Sequence, residues 1–292
     1  MPSLRDIRRR IRSVKNTGQI TKAMEMVAAS RMRRAQQRVL ASRPYAQALR
    51  ELITELSAAT GGEVVHPLLQ QRETIRRAAV IVMTSDRGLA GALNINVIRR
   101  ASEALLQVAP QTEVVTVGRK GLGFFVRRGL RPLGSFTDLG DRLAYDAAIP
   151  IARVVTDAFL AGQVDAVYLV YPKFVSTLTQ RPQLDQLLPV TSPEAGPGAS
   201  SRRRLDYIYE PSPEAILNQL VPRYVEVQVF QALLETVASE QSARMIAMRN
   251  ATKNAMELVD TLTLSANRVR QASITGEVLE IAAAADAMAA SR

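Results

Sequence analysis

The decapeptide SDRGLAGALN, Ser85 to Asn94, sets Gly88 and Gly91 after an apolar run, Ala78 to Met83. The stretch that follows, Leu93 to Leu106, reads as a helix. A glycine turn between strand and helix is where nucleotide phosphates often sit, because helix N-terminal amides point at the anion. The spacing does not support that chemistry. A Walker loop counted from Gly88 requires its second glycine where Leu93 stands, and no lysine follows. A second glycine cluster, GRKGLGFF, carries Gly118, Gly121 and Gly123 but has Val126 where G-x-G-x-x-G needs its third glycine. Both clusters are better read as turns in which glycine supplies positive φ.

Other chemistry is equally thin. There is no cysteine and one histidine, His66, so neither a disulfide nor a Cys/His metal or catalytic cluster is possible. His66 precedes Pro67 and reads as a surface loop residue. Asp138, Asp141 and Asp146 could hold a cation, but they flank an expected helix start, where carboxylates favour the helix dipole. No catalytic, metal-binding or cofactor-binding residue is assigned.

Charge is more informative. The chain's formal charge is +11, and residues 1–50 account for it, with 13 Lys/Arg against 2 Asp/Glu. The rest balances at 25 of each. Such a segment seeks an acidic partner, either nucleic acid or an acidic protein surface. Arg8, Arg9 and Arg10 are candidates for phosphate contacts. Only one aromatic, Tyr45, lies in that segment, which argues against stacking on single strands. No run approaches 18 uncharged apolar residues, and the basic N-terminus lacks the apolar core of a secretory signal. The expectation is a soluble chain in a reducing compartment.

The elements that would position these residues fall into three parts. From Ser3 to about Ala58 the chain is rich in Ala, Arg, Met, Leu and Gln, with Ser3 and Asp6 placed as a cap. Alternating 4 and 3 spacings from Ile7 give an apolar stripe through Leu56, interrupted at Gly18, Thr21 and Glu25. At those breaks Ile20, Ala23, Met24, Met26 and Val27 occupy other faces. Pro44 is expected to bend the helix. From about Pro213 to Ala290 a second stripe starts at Val227 and runs through Leu234, Met248, Ala251, Leu258, Ser265 and Leu279. Helices of roughly 80 and 100 Å with sustained heptads argue for a coiled coil, in which the two can pair. Between them, residues 75–209 alternate strands and helices, which predicts a compact α/β layer with a mostly parallel sheet. Strands are expected at Ala78–Thr84, Glu113–Val117 and Ala166–Tyr171, with a hairpin from Val175–Gln180 and Leu184–Val190. Helices are expected at Leu93–Leu106, Lys120–Arg128 and Leu143–Ala161.

Three long segments carry a resemblance. SLRDIRRRIRSVKNTGQITKAMEMVAASRMRRAQ, SDRGLAGALN and ASEQSARMIAMRNATKNA with RQASITGEVLEI resemble, in one colinear order, the γ subunits of F-type ATP synthases. The resemblance spans residues 3 to about 288. It implies an antiparallel coiled coil of the helices at 1–58 and 213–290, and an α/β foot domain at 75–209. It implies a non-catalytic rotor shaft of an H+-transporting ATP synthase, without a cofactor, that turns inside a ring of α and β subunits. The foot would meet the ε subunit and the membrane c-ring. The implied setting is the cytoplasmic face of a bacterial plasma membrane, peripheral and not inserted.

By position, Ile20, Lys22, Met24, Met26 and Val27 match the stretch facing the β subunits, and Arg270 and Gln271 match the pair reaching a β-subunit loop. Arg202, Arg203, Arg204, Tyr207 and Glu210 match the c-ring and ε side, and Ile274 to Met288 the tip held in an apolar bearing. SDRGLAGALN belongs to the foot and binds no nucleotide in the family. Ala90 and Ala92 depart from the commoner glycine- and cysteine-containing form, and the cysteine insertion of chloroplast relatives is absent. The competing reading, a basic coiled-coil protein binding nucleic acid, predicts steeply salt-dependent affinity for any duplex. A nucleotide-dependent enzyme predicts saturable ATP binding by the chain alone.

Overall fold

The computed structural model describes residues 3–59, 66–140, 143–190 and 212–290. Helix α1 spans Leu4–Ala59 and α5 spans Pro213–Ala290. Ser3 caps α1: its Oγ accepts from the Asp6 amide at 3.2 Å and donates to the Asp6 carboxylate at 2.7 Å. Pro44 does not end the helix. Each of the 15 stripe positions of α1, from Ile7 to Leu56, is buried or half-buried, the polar ones included.

The chain forms two compact units, each containing part of both long helices. One comprises Met1–Val27 and Met245–Arg292. Here α1 and α5 run antiparallel. A Cβ on Gly18 would lie 3.4 Å from the Ala255 Cβ, the Thr21 and Thr252 hydroxyls are 2.8 Å apart, and Arg249 donates to Glu25 at 3.1 Å.

The other unit, Ala28–Arg244, is built on a five-stranded sheet of order β3-β2-β1-β4-β5. Its strands are β1 (Arg77–Met83), β2 (Gln111–Val117), β3 (Gly134–Phe136), β4 (Ala166–Phe174) and β5 (Gln180–Leu188). The first four are parallel, and β5 closes antiparallel on β4. Strand β1 is buried on both faces, which is why it reads as a continuous apolar run. Val80, Val82, Val114 and Val170 face α2 (Leu93–Gln107) and α3 (Arg119–Arg127), which contribute Val97, Ala101, Ala104 and Phe125. Ala79, Ile81, Met83, Val115 and Leu169 face a larger core with α4 (Ile149–Leu160), the Leu217–Ala238 part of α5, and the Ala35–Leu56 part of α1. In this unit, too, the long helices are antiparallel: Arg43 meets Glu235 at 3.3 Å, and Arg50 donates to the Tyr224 hydroxyl at 3.2 Å.

Polar side chains of α5 join it to the sheet. Glu235, buried, accepts from the Phe174 amide at 2.7 Å, and Ser239 donates to the Pro172 carbonyl at 2.8 Å.

Three local expectations need correction. The segment expected as a strand at Val175–Gln180 is mostly the turn between β4 and β5, in which Thr179 donates to the Ser176 carbonyl at 3.2 Å. The hairpin is instead made by β4, which continues through Pro172 to Phe174, and β5. The helix expected at Leu143–Ala161 is a 3-10 turn at Tyr145–Ala147 followed by α4, whose first turn holds Pro150, where no amide is needed. Edge strand β3, three residues long, had no periodicity to announce it.

Candidate functional site

The second glycine cluster, Gly118 to Gly123, is closed by acceptors from Thr84, Ser85 and Asp86. The first amides of α3 are those that would face a phosphate at the carboxyl end of the sheet. Arg119 donates its amide to Asp86 Oδ1 at 3.0 Å, Lys120 to the Ser85 carbonyl at 3.2 Å, and Gly121 to Thr84 Oγ1 at 2.8 Å. The second oxygen of Asp86 accepts from the Asp138 amide at 2.9 Å. Asp86 therefore holds the place of an external anion and ties three loops together. Asn94 secures the other side, accepting from the Ser85 amide at 3.0 Å. Gly118 has φ 90°, and a Cβ there would stand 2.1 Å from the Thr84 carbonyl oxygen, so this close approach requires glycine. Gly91 has φ 57°, whereas Leu89, not Gly88, takes the other positive φ of the turn, at 62°. The adjoining cleft, about 250 Å³, is lined by Asp86, Asp138 and Glu240 as well as Arg87 and Arg119, a mixed field that does not select phosphate.

The remaining candidates take structural parts. His66 is buried, which corrects its reading as a surface residue: its Nδ1 caps a 3-10 turn by accepting from the Leu68 amide at 3.1 Å, and burial lowers its pKa. Asp138 pairs with Arg119 at 2.6 Å, and Asp146 lies in the first turn of the 3-10 helix. Asp141 lies outside the described residues. Among the described residues, no three acidic or histidine side chains are grouped to hold a metal.

The α1 candidates form a surface. Ile20, Met26 and Val27 are 61%, 60% and 52% exposed, beside exposed Ala23 and half-buried Met24. At about 100° per residue, their face lies roughly opposite the seam of Gly18, Thr21 and Glu25. Lys22, one turn before Met26, stands at the edge of that face; its ammonium reaches Glu25 at 3.1 Å, and Arg249 meets the same carboxylate. The two cations hold the Glu25 pKa below the ordinary carboxylate value, the hydrogen bond from Arg249 contributing most. The polar partners Arg249 and Thr252 on α5 escaped sequence reasoning, although breaks in the α1 stripe marked the other half of the contact.

The α5 stripe holds at Met248, Ala255, Leu262 and Val269 and falls one residue short of the seam at Ala251, Leu258 and Ser265. Its seam runs through Met245, Met248, Thr252, Ala255, Val259, Leu262, Ala266 and Val269, all at least half-buried, whereas the expected stripe residue Leu258 is 47% exposed. If the observed pairing is continued, Leu4 falls opposite about Val269. Beyond that point all residues of α5 through Ala284 except Gly276 are exposed, including Arg270, Gln271, Ile274, Val278, Leu279 and Ile281. Arg202, Arg203, Arg204, Tyr207 and Glu210 lie outside the described residues.

Comparison with known proteins gives one consistent result. The family described as ATP synthase matches residues 3–288. An ATP synthase gamma chain of Chloroflexus aurantiacus is 51% identical over 292 residues, covering 99% of both chains. One from Pelotomaculum thermopropionicum is 49% identical over 288 residues, covering 99% of this chain and all of the relative. In the central stalk/c-ring structure of the Tetrahymena thermophila mitochondrial ATP synthase, a chain 26% identical aligns with TM-score 0.60 over 80% of this chain and 99% of its own. In the rotor of the Euglena gracilis mitochondrial enzyme, a chain 21% identical shares the fold at TM-score 0.67 over 93% and 98%.

Proposed function

The chain belongs to the gamma-chain family of ATP synthases, and from that premise we propose how it works as the rotor shaft. It is a non-catalytic subunit that couples rotation driven by ion flow to the conformational cycle of catalytic β subunits. The observation that carries the reading is the apolar face Ile20, Met26 and Val27, exposed on the side of α1 turned away from α5. A two-helix rod has no internal use for such a face, whereas a surrounding protein ring does. A face present on one side only contacts each of three β subunits differently. Such differential contact free energy biases each catalytic site towards a different conformation. Turning the shaft moves that bias round the ring, and hydrolysis drives it in reverse.

Within this reading, Ile20, Lys22, Met24, Met26 and Val27 contact β subunits directly. Lys22 also pairs with Glu25. Arg270 and Gln271 reach a β-subunit loop from the segment of α5 past the end of α1. The exposed tip from Ile274 turns in an apolar bearing, where few directional bonds resist rotation. The α/β part, together with residues 202–210, meets the ε subunit and the c-ring. The protein sits at the cytoplasmic face of a bacterial plasma membrane, held by its partners; no helix among the described residues is long and apolar enough to cross a membrane.

The test is ATP hydrolysis by purified α and β subunits with and without this chain, after gel filtration. A stable complex with one copy per ring and raised activity is expected. Failure to assemble, under conditions where a relative's gamma chain does, would overturn the reading. Steep, salt-dependent duplex binding in its place would favour the nucleic-acid alternative.

A further inference from the structure

The seam between α1 and α5 changes character over one short stretch. On either side it is filled by side chains with volume: Ile7 and Ile11 towards the start of α1, and Met245 and Met248 on α5. Between them it contains Gly18 against Ala255, Thr21 against Thr252, and Glu25 against Arg249. Small residues leave no knob to set the axial position of one helix on the other. Apolar heptads alone tolerate a shift of seven residues, because the stripe is then restored. A polar contact at one level breaks that degeneracy, since any other register buries it without a partner.

Both polar contacts here are specific. Thr21 and Thr252 are buried, and their hydroxyls are 2.8 Å apart. Each also has a carbonyl of its own helix within reach: Gly18 at 3.0 Å for Thr21, and Met248 at 2.9 Å for Thr252. One hydroxyl therefore donates to its own backbone and accepts from the other. Glu25 is buried, and its two oxygens take Arg249 at 3.1 Å and Lys22 at 3.1 Å. A shift of one heptad would set Glu25 beside Ser242 or Met256 and strip the carboxylate of its guanidinium partner.

We infer that Thr21, Thr252, Glu25 and Arg249 are positioning residues: they lock the register of α1 on α5 and so fix the height along α5 at which Ile20, Met26 and Val27 are displayed. The lock rests on geometry alone. Its consequence for coupling rests on the rotor reading.

The sequence supplies a clean probe, because the chain has no cysteine. A Gly18 Cβ would be 3.4 Å from that of Ala255, close to the separation a disulfide needs. The full chain carrying Gly18→Cys and Ala255→Cys should therefore crosslink under mild oxidation. A second probe, Gly18→Cys with Leu262→Cys, reports a one-heptad slip and should remain near background. Adding Glu25→Ala and Thr252→Ala should lower the first product and raise the second, each about fivefold, as loss of about 1 kcal/mol of register preference gives. Glu25→Gln, which keeps an acceptor for Arg249, should restore most of the first product.

A companion pair, Thr21→Val with Thr252→Val, keeps shape and apolar packing and guards against simple melting of the helices. Its circular dichroism should match the parent while its crosslinks spread over both probes. Unchanged crosslinks in both backgrounds would overturn the lock. In reconstituted complexes, Glu25→Ala with Thr252→Ala should pump fewer protons per ATP hydrolysed. A shifted register with unchanged coupling would overturn the link from register to display while sparing the lock.

Discussion

Asp86 shows how one side chain decides what a fold can bind. The carboxyl end of a parallel sheet and the N-terminus of α3 are the parts from which a phosphate site is made. This chain fills that place with its own carboxylate, which accepts from the Arg119 and Asp138 amides. Asp86→Ala should cost about 1.5–3 kcal/mol, the usual worth of a hydrogen-bonded charged acceptor. Thermal denaturation checks this, and an unchanged midpoint would refute it.

Asp165 plays a comparable part at the opposite end of the sheet. Burial would raise its pKa, but the Arg77 and Arg76 amides and the Arg72 guanidinium outweigh that and hold it below the ordinary value. A lowered folded-state pKa gives stability that is present above the unfolded value and lost as pH falls through the folded one. Asp165→Asn should therefore be less stable than the parent at neutral pH, with the difference shrinking in acid. Denaturant melts across pH would show it; a gap that widens in acid would contradict it. Neither role was legible in the sequence, because both depend on amides that long-range folding brings to the carboxylate.

At the level of elements, legibility followed the number of faces an element buries. Helix α1 buries one stripe, and alternating spacing found every position of it, Gly18, Thr21 and Glu25 included. Helix α5 is buried on most faces between Leu217 and Met248, where it packs against the sheet and α1. Apolar residues all round make any phase score well there. Beyond Met248 the stripe taken from Val227 therefore kept Ala255, Leu262 and Val269 but ran one residue short at the positions between, taking exposed Leu258 instead of half-buried Val259. Strands buried on both faces were plain from their apolar runs, whereas the Pro-bearing end of β4 was lost because Pro is rare inside strands.

The exposed apolar face of α1, the proposed contact surface, was legible for the same reason as the seam: apolar residues stand where the stripe does not need them. Met24 lies at the edge of that face and is half-buried. Met24→Lys would place a second ammonium two residues from Lys22 and add charge at the proposed β-subunit contact. Reconstituted complexes with this variant should retain ATP hydrolysis but lose proton pumping by severalfold. Pumping equal to the parent would remove Met24 from the coupling surface.

For the whole molecule, the decisive property is where the charge lies. All of the net +11 falls in residues 1–50, nearly all of which belong to α1. Arg8, Arg12 and Lys15 are exposed and follow one another at helical spacing, so they present a basic stripe. A stripe of this kind does little for the stability of the chain that carries it, since exposed charges interact weakly in water. Its effect is on encounter: complementary charge raises association rates, and salt removes the gain.

Replacing Arg8, Arg12 and Lys15 with Gln should therefore leave the melting temperature within a few degrees of the parent. It should slow assembly with α and β subunits about tenfold at low salt. The two rates should converge near 1 M salt, where the screening length is about 3 Å. The competing reading makes a different prediction for the same variant. If the stripe serves a duplex, the parent should bind DNA with a steep salt slope, and the variant's slope should be shallower by nearly one for each phosphate it no longer neutralises. Stopped-flow assembly and a DNA titration, both across a salt series, separate the two. Rates that differ by the same factor at every salt concentration would mean that the stripe acts in the final docked state and not in steering.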